Sequence, residues 1–163
     1  LPSIVMALAL TSCATQRGFP PEHQIVNFDR VREREIYRGA QPNQNSLSYL
    51  AALGVKTVVN LRADPFPAEK DTVESLGMVY LPLPLSGTKT PTVAEMNGML
   101  AAIEKAPKPV FIHCQYGCDR TGVVVACWRI RHGWPNAQAL LEAKGYGISP
   151  LLPGFKSFVE HFK

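Results

Sequence analysis

The chain has 163 residues, of which 46% are hydrophobic, and this length and composition predict one domain with a single core. The formal net charge of +4 is modest and the basic residues are dispersed, so we expect no nucleic-acid partner. The four cysteines form no Cys-x-x-Cys pairs and the four histidines are scattered, so we expect neither a metal nor a cofactor.

Residues 1 to 10 form an apolar run that is too short to span a bilayer and that leads into Leu10-Thr11-Ser12-Cys13. This pattern resembles the lipobox of bacterial lipoprotein signal peptides, in which the cysteine becomes lipidated. The predicted division is a signal segment at 1–12, a tether at 13–29 and a domain at 30–163. We therefore expect lipid anchoring at Cys13 on the periplasmic side of a bacterial envelope. The alternative is an apolar helix with an incidental cysteine, in a cytoplasmic protein.

After Arg30 the chain alternates short β-like runs with amphipathic helical segments, which is typical of an α/β fold with a mainly parallel central sheet flanked by helices. The predicted strands are 36–38, 55–61, 78–83 and 110–113. The predicted helices are 43–53, 66–76, 92–105, 121–132, 136–144 and 153–162. Thr92 with Glu95 three residues later predicts a capping box at the start of the third helix.

Residues 113 to 122 read HCQYGCDRTG and join the last predicted strand to an apolar helix. Backbone N–H groups at a helix start have no intrahelical partners, and the helix dipole adds roughly half a positive charge there. We therefore expect this loop to bind an oxyanion. The loop residues around the anion would be Gln115, Tyr116, Gly117, Cys118, Asp119 and Arg120.

The same field should favour the thiolate form of Cys114, which makes it a candidate nucleophile. Arg120 offers a planar fork that can hold two phosphate oxygens, and it can bind the transition state more tightly than the substrate. Gly117 suits a position of positive φ or close approach. Thr121 can donate its hydroxyl to the Cys114 sulfur and help the thiolate to leave.

The run His-Cys-x-x-Gly-x-x-Arg-Thr-Gly at 113–122 resembles the signature of the cysteine-dependent protein tyrosine and dual-specificity phosphatases. The segments YRGAQP at 37–42 and GVKTVVNLR at 54–62 resemble bacterial members of that superfamily. The resemblance implies a phosphatase fold and hydrolysis of a phosphorylated protein or small phosphomonoester through a phosphocysteine on Cys114. It also implies that His113 supports the loop by hydrogen-bonding its backbone.

The chain departs from the common family pattern in its general acid, because residues 81 to 92 contain no carboxylate. Asp119 is our first candidate, since its place before the loop arginine resembles the Cys-x-x-Gly-x-Asp-Arg-Thr arrangement of myotubularin phosphoinositide phosphatases. Asp64, after a predicted core strand, is the alternative. Each could instead be structural, Asp119 at a helix start and Asp64 in a turn. Lys89 could contact a phosphorylated substrate or could simply be solvated.

Several alternatives remain open from the sequence. The substrate could be an inositol phosphate or phosphoinositide, and sulfur transfer or arsenate reduction also use a cysteine in an anion-binding loop. The chain could also be a membrane-tethered phosphate-binding module without turnover, because the usual acid is missing. Cys118 could form a reversible disulfide with Cys114 or could be an ordinary loop residue.

Overall fold

The computed structural model describes residues 25–163, so Cys13 and the predicted signal segment lie outside the described residues. Its strands are β1 (Asp29–Arg32), β2 (Ile36–Gly39), β3 (Thr57–Asn60), β4 (Val79–Pro82) and β5 (Val110–His113). Its helices are α1 (Gln44–Ala52), α2 (Glu69–Ser75), α3 (Val93–Lys105), α4 (Asp119–Arg131), α5 (Asn136–Gly145) and α6 (Pro153–His161).

The strands form one sheet in the order β1-β2-β5-β3-β4, in which every pair is parallel except β1 with β2. The predicted α/β class with a mainly parallel sheet is confirmed. The prediction missed β1, whose sequence Asp-Arg-Val-Arg carries too much charge to suggest a strand. It occupies a sheet edge, where charged side chains reach water.

Helices cover both faces of the sheet because its strands bury alternate side chains on opposite sides. On β5, Phe111 packs into one cluster with Leu50 of α1 and Val73 of α2. Ile112 packs into the other cluster, which contains residues of α3, α4, α5 and α6. The fold therefore has three layers, with α1 and α2 on one face of the sheet and the other four helices on the opposite face.

Two boundaries differ from prediction near the loop at 114–118. Helix α4 begins at Asp119, two residues before the predicted start. The domain extends back beyond residue 30, because Ile25 is buried in the core and the Val26 carbonyl accepts a hydrogen bond from the Ala40 amide at 2.8 Å. Residues 25 to 29 therefore belong to the domain rather than to a tether.

The capping box at the start of α3 is present as predicted. The Thr92 hydroxyl accepts a hydrogen bond from the Glu95 amide, and the Glu95 carboxylate accepts one from the Thr92 amide. Among residues 25 to 163, no helix has the length and apolar character required to cross a membrane.

Candidate active site

The loop from Cys114 to Cys118 lies at the centre of the sheet's carboxyl edge, since β5 is flanked by β2 and β3 with parallel registers. Ligands of open α/β sheets bind at this edge. Gly117 has φ +70°, and a Cβ there would come within 2.6 Å of the Gly39 carbonyl carbon and 2.7 Å of the Ala40 nitrogen. Only glycine fits both the conformation and the space, so the loop packs directly on the end of β2.

The loop leaves several backbone donors available. Within residues 25 to 163, the amides of residues 115 to 118 donate no hydrogen bond to the protein. Cys114 lies at the base of this loop and is only 3% exposed. The arrangement provides a set of free N–H groups next to a buried thiol at the start of α4.

Thr121 does not make the contact expected of it. Its side chain is fully buried, and its hydroxyl has no hydrogen-bond partner among the described residues, so the predicted bond to the Cys114 sulfur is absent from this structure. A buried hydroxyl that lies beside the loop and has no partner remains free to rotate toward a partner.

His113 is buried beneath the loop on the opposite face of β5 from Cys114. Its Nδ1 lies 3.2 Å from the Cys114 carbonyl oxygen, which fits the predicted support of the loop backbone. Its Nε2 lies 2.8 Å from Oε1 of Glu69, although the two atoms are not aligned as a hydrogen bond. The other carboxylate oxygen of Glu69 accepts a bond of 2.6 Å from the Asn60 amide group. Both ring nitrogens therefore face oxygen acceptors.

Arg38 supports the loop from the end of β2. The guanidinium donates from Nη2 to the Gly117 carbonyl at 2.6 Å and lies 3.7 Å from the centre of the Tyr146 ring. The side chain is only 1% exposed. Burial is the main reason that the pKa of Arg38 falls below its ordinary value.

Arg120 lies in the first turn of α4, beside the loop that precedes α3. A Cβ placed on Gly87 of that loop would lie 3.9 Å from Cζ of Arg120.

The Ser86 hydroxyl accepts a bond of 2.9 Å from the Lys89 amide and so shapes the loop, while the Lys89 side chain is exposed. A cavity of about 350 Å³ lies between this loop and α3, and Lys89 and Met99 are among its lining residues.

The two candidate acids are held differently. One carboxylate oxygen of Asp119 accepts a hydrogen bond of 2.6 Å from the Ser149 amide, so this residue also ties α4 to the segment after α5. Asp64 is exposed and pairs with Arg62, whose Nη2 lies 2.9 Å from Oδ2. That hydrogen bond is the largest cause holding the pKa of Asp64 below its ordinary value, and the charge of Arg120 adds a smaller contribution.

Cys118 contacts the N-terminal part of the domain. The Asn27 amide group donates to its sulfur at 3.1 Å and to the Tyr116 carbonyl at 2.8 Å. Burial is the main cause that raises the pKa of the Cys118 thiol, and the charge of Asp119 adds to it. Both Cys114 and Cys118 are free thiols here, so a disulfide between them stays a prediction.

The sequence reasoning missed three residues that hold the loop: Asn27, Arg38 and Glu69. Arg38 carried a usable signal, because a lone arginine inside a fully buried strand must find a polar partner. Asn27 and Glu69 carried no such signal, because their partners at the loop are distant in the sequence. In the part of the chain that the structure describes, no group of three or more His, Cys, Asp or Glu could hold a metal ion.

Comparisons with known proteins agree with this geometry. A family profile described as "DSP-PTPase phosphatase fused to NAD+ Kinase" matches residues 20–149. The inositol diphosphatase SIW14 of Saccharomyces cerevisiae is 31% identical over 150 residues, which cover 88% of this chain and 52% of that protein. The dual specificity protein phosphatase TpbA of Pseudomonas aeruginosa is 34% identical over 115 residues, which cover 69% of this chain and 50% of that protein. The chain thus spans about half the length of these relatives.

Solved structures share the fold. The core catalytic domain of SIW14 superposes with a TM-score of 0.77 at 24% identity, covering 85% of this chain and 87% of that structure. TpbA superposes with a TM-score of 0.67 at 30% identity, covering 79% of this chain and 81% of that structure. A variant of TpbA has been solved in complex with phosphotyrosine. The chain therefore belongs to the family of cysteine-dependent dual-specificity and tyrosine phosphatases.

Proposed function

We propose that the chain hydrolyses phosphomonoesters by nucleophilic attack of Cys114. The observation that carries this proposal is the buried Cys114 at the base of a loop whose amides at 115 to 118 donate no hydrogen bond within residues 25 to 163. The sulfur attacks phosphorus, the bond from phosphorus to the leaving oxygen breaks, and a phosphocysteine forms. Water then attacks phosphorus, the sulfur–phosphorus bond breaks, and phosphate leaves the regenerated thiolate.

Arg120 supplies the electrostatic part of this proposal. It lies in the first turn of α4, next to Asp119 and beside Gly87 of the neighbouring loop. A guanidinium at that position can hold two equatorial oxygens of the transferring phosphoryl group, where negative charge builds up in the transition state. The fixed loop amides act on the same oxygens without reorganising.

Asp119 is our proposed proton donor, with Asp64 as the alternative. Support for Asp119 is its half-buried place directly before Arg120, and its bond to the Ser149 amide holds one carboxylate oxygen in position. Asp64 is opposed, because its lowered pKa leaves almost none of it protonated at neutral pH. Weak acid assistance favours substrates whose leaving groups need little protonation.

We propose a phosphorylated protein, with phosphotyrosine as the clearest representative, as the main substrate class. Support comes from the similarity to TpbA, a dual specificity protein phosphatase whose variant binds phosphotyrosine. A second candidate is an inositol diphosphate, because several relatives are named inositol diphosphatases. The weak acid assistance also favours it, since a leaving phosphate needs less protonation than an alkoxide.

Turnover of an aryl phosphate by the full chain under reducing conditions tests the proposal. We expect hydrolysis by the wild type, no detectable hydrolysis by Cys114→Ser, and a loss of about 10²-fold or more in Arg120→Lys, which keeps the charge but not the fork. Phosphate binding by the wild type without any turnover would contradict the proposal and favour a binding module.

A direct competition separates the two substrate classes. The wild type is given equal concentrations of a phosphotyrosine peptide and an inositol diphosphate, and the initial rates of both hydrolyses are measured in one mixture. The main proposal predicts faster hydrolysis of the peptide. A faster release of phosphate from the diphosphate would favour the second candidate.

We also propose lipid anchoring at Cys13 and a location in the cell envelope, on the sequence pattern alone. Mass spectrometry of the protein expressed in a bacterium tests this. The expected result is a lipidated N-terminal cysteine at position 13 that disappears in Cys13→Ser. An unmodified Cys13 in the mature protein would contradict it.

A further inference from the structure

Arg38 lies directly beneath the loop that carries the nucleophile. In the register of β2 with β5, Arg38 pairs with Ile112, and side chains two residues apart on a strand share a face. Arg38 and Cys114 therefore lie on the same side of the sheet, while His113 and Glu69 lie on the other. The guanidinium is buried, with 1% of the side chain exposed.

This guanidinium lies over the Tyr146 ring but forms no ion pair with a carboxylate among the described residues. One nitrogen donates to the Gly117 carbonyl at 2.6 Å, and the other two, Nε and Nη1, have no hydrogen-bond partner among the described residues. An arginine stays protonated even when burial lowers its pKa, so the site contains a buried positive charge. A buried charge without a partner is costly, and its retention requires a compensating interaction.

The acidic groups that interact electrostatically with Arg38 are Tyr146, Glu142, Cys114 and Cys118. Tyr146 is neutral at working pH, because burial raises its pKa to about 12. The Glu142 carboxylate is held by Arg129 at 2.7 Å. The Cys118 thiol also has a raised pKa, caused first by burial, and stays largely protonated. Of these four groups, Cys114 is the nucleophile of the proposed function, and it lies on the same face of the sheet as Arg38.

Arg129 shows what a purely structural arginine looks like in the same molecule. It also donates to a backbone carbonyl, that of Val31 at 2.6 Å, and lies over an aromatic ring, that of Trp134 at 4.1 Å. Unlike Arg38, it forms a bidentate ion pair with Glu142, in which each carboxylate oxygen accepts one hydrogen bond. The two arginines share every contact type except the carboxylate.

We propose that Arg38 is a positioning residue for the nucleophile: it fixes the loop through the Gly117 carbonyl, and its unpaired charge stabilises the anionic form of Cys114. This role rests on the proposed chemistry of Cys114. It makes the YRGAQP segment at 37–42 part of the catalytic apparatus, through one arginine that does not touch the substrate.

The test is the rate at which iodoacetamide alkylates Cys114 in the full chain, measured at pH 6 and pH 9 by mass spectrometry of the peptide that contains it. The variants are Arg38→Gln, which keeps a donor but removes the charge, and Arg38→Lys, which keeps the charge. Arg129→Gln is the matched control. In Arg38→Gln we expect the ratio of the rate at pH 6 to that at pH 9 to fall about tenfold.

The ratio should stay within about threefold of wild type in Arg38→Lys and in Arg129→Gln, because each leaves a cation under the loop. A wild-type ratio in folded Arg38→Gln, or an equal fall in Arg129→Gln, would overturn the role. If Arg38→Gln does not fold, Arg38→Lys decides alone: a tenfold fall there contradicts the proposal, and a wild-type ratio with reduced turnover supports it.

This readout does not depend on turnover, so the two proposals can fail separately. If the wild type hydrolyses no phosphomonoester, but Arg38→Gln still lowers the ratio of alkylation rates, only the proposed function is contradicted. If the wild type hydrolyses aryl phosphate, but Arg38→Gln has the wild-type ratio of alkylation rates, only the role of Arg38 is contradicted.

Discussion

The floor and the rim of the candidate site are built in opposite ways. The floor consists of Arg38, Glu69, His113, Cys114 and Gly117, all of which are buried and connected by contacts to the loop backbone. The rim consists of Asp64, Lys89 and Tyr116, whose side chains are exposed. Buried groups with fixed partners can hold reacting atoms in place, whereas exposed ones can adapt to different substrates.

The difference assigns separate tasks to the two regions. The floor sets the chemistry, because the free amides and the nucleophile depend on its geometry. Under the proposed function, we expect the rim to select among phosphorylated molecules, because Lys89 lines the 350 Å³ cavity and Tyr116 is 65% exposed beside the loop. Changes in the floor should therefore affect all substrates equally, and changes in the rim should affect them unequally.

The largest effect is expected at Gly117. In Gly117→Ala the new Cβ collides with the backbone of Gly39 and Ala40 at a φ of +70°, so the loop must shift. A displacement of about 1 Å in catalytic groups costs on the order of 10²-fold in kcat. Gly133→Ala is the control, since its φ is +91° but nothing lies within 4 Å of the new Cβ. Equal kcat values in the two variants would contradict the close packing of the loop.

Asp119, between floor and rim, distinguishes the two candidate acids. Asparagine keeps an oxygen that can accept the Ser149 amide, so Asp119→Asn removes the proton donor while retaining that bond. We expect a loss of about 10²-fold on an alkyl phosphate and a much smaller loss on an aryl phosphate with a good leaving group. Asp64→Asn should stay within about threefold on both. The reverse pattern would make Asp64 the acid.

Glu69 supports the floor from the face of the sheet opposite Cys114, where it contacts His113. Glu69→Gln replaces the buried carboxylate 2.8 Å from His113 Nε2 with a neutral amide, and a buried polar group left without a suitable partner costs about 1–3 kcal/mol of unfolding free energy. We expect kcat to fall about tenfold on every substrate as the loop loosens. Glu74→Gln on the same helix is the control, because its ion pair with Lys70 is exposed and contributes little. Denaturant unfolding that finds both variants equally stable would count against the network.

The smallest effect is expected at the rim. Lys89→Ala should change kcat/KM by less than about twofold on a small aryl phosphate and by about threefold on a polyanionic substrate, with the difference disappearing at high salt. Lys105→Ala, at the far end of α3, should change neither. A uniform loss on both substrates in Lys89→Ala would show that Lys89 acts on the loop rather than on substrate choice.

The sequence predicted the parts of the site that are contiguous. Cys114, Gly117 and Arg120 fall in one ten-residue run between a strand and a helix, so their spacing alone indicated an anion-binding loop. The parallel sheet followed from the alternation of apolar strands with helices. The catalytic roles of Cys114 and Arg120 stay predictions until activity is measured.

The sequence did not predict contacts between distant segments. Arg38 reaches Gly117 across 79 positions, and Glu69 meets His113 only because α2 packs on the face of β5 opposite α4. Local patterns contain no signal for such pairs. A motif position also does not guarantee a contact. Thr121 stands where the motif requires it, but its hydroxyl does not form the expected bond to the sulfur of Cys114.

Trapping the covalent intermediate is the most direct test of the account. The full chain is mixed with an excess of a phosphotyrosine peptide under reducing conditions, quenched in acid within one turnover, and digested for mass spectrometry. We expect phosphate on Cys114 in the wild type, more of it in Asp119→Asn if water attack also needs that carboxylate, and none in Cys114→Ser. Release of phosphate with no phosphorylated Cys114 at any quench time, or phosphate on another residue, would contradict it.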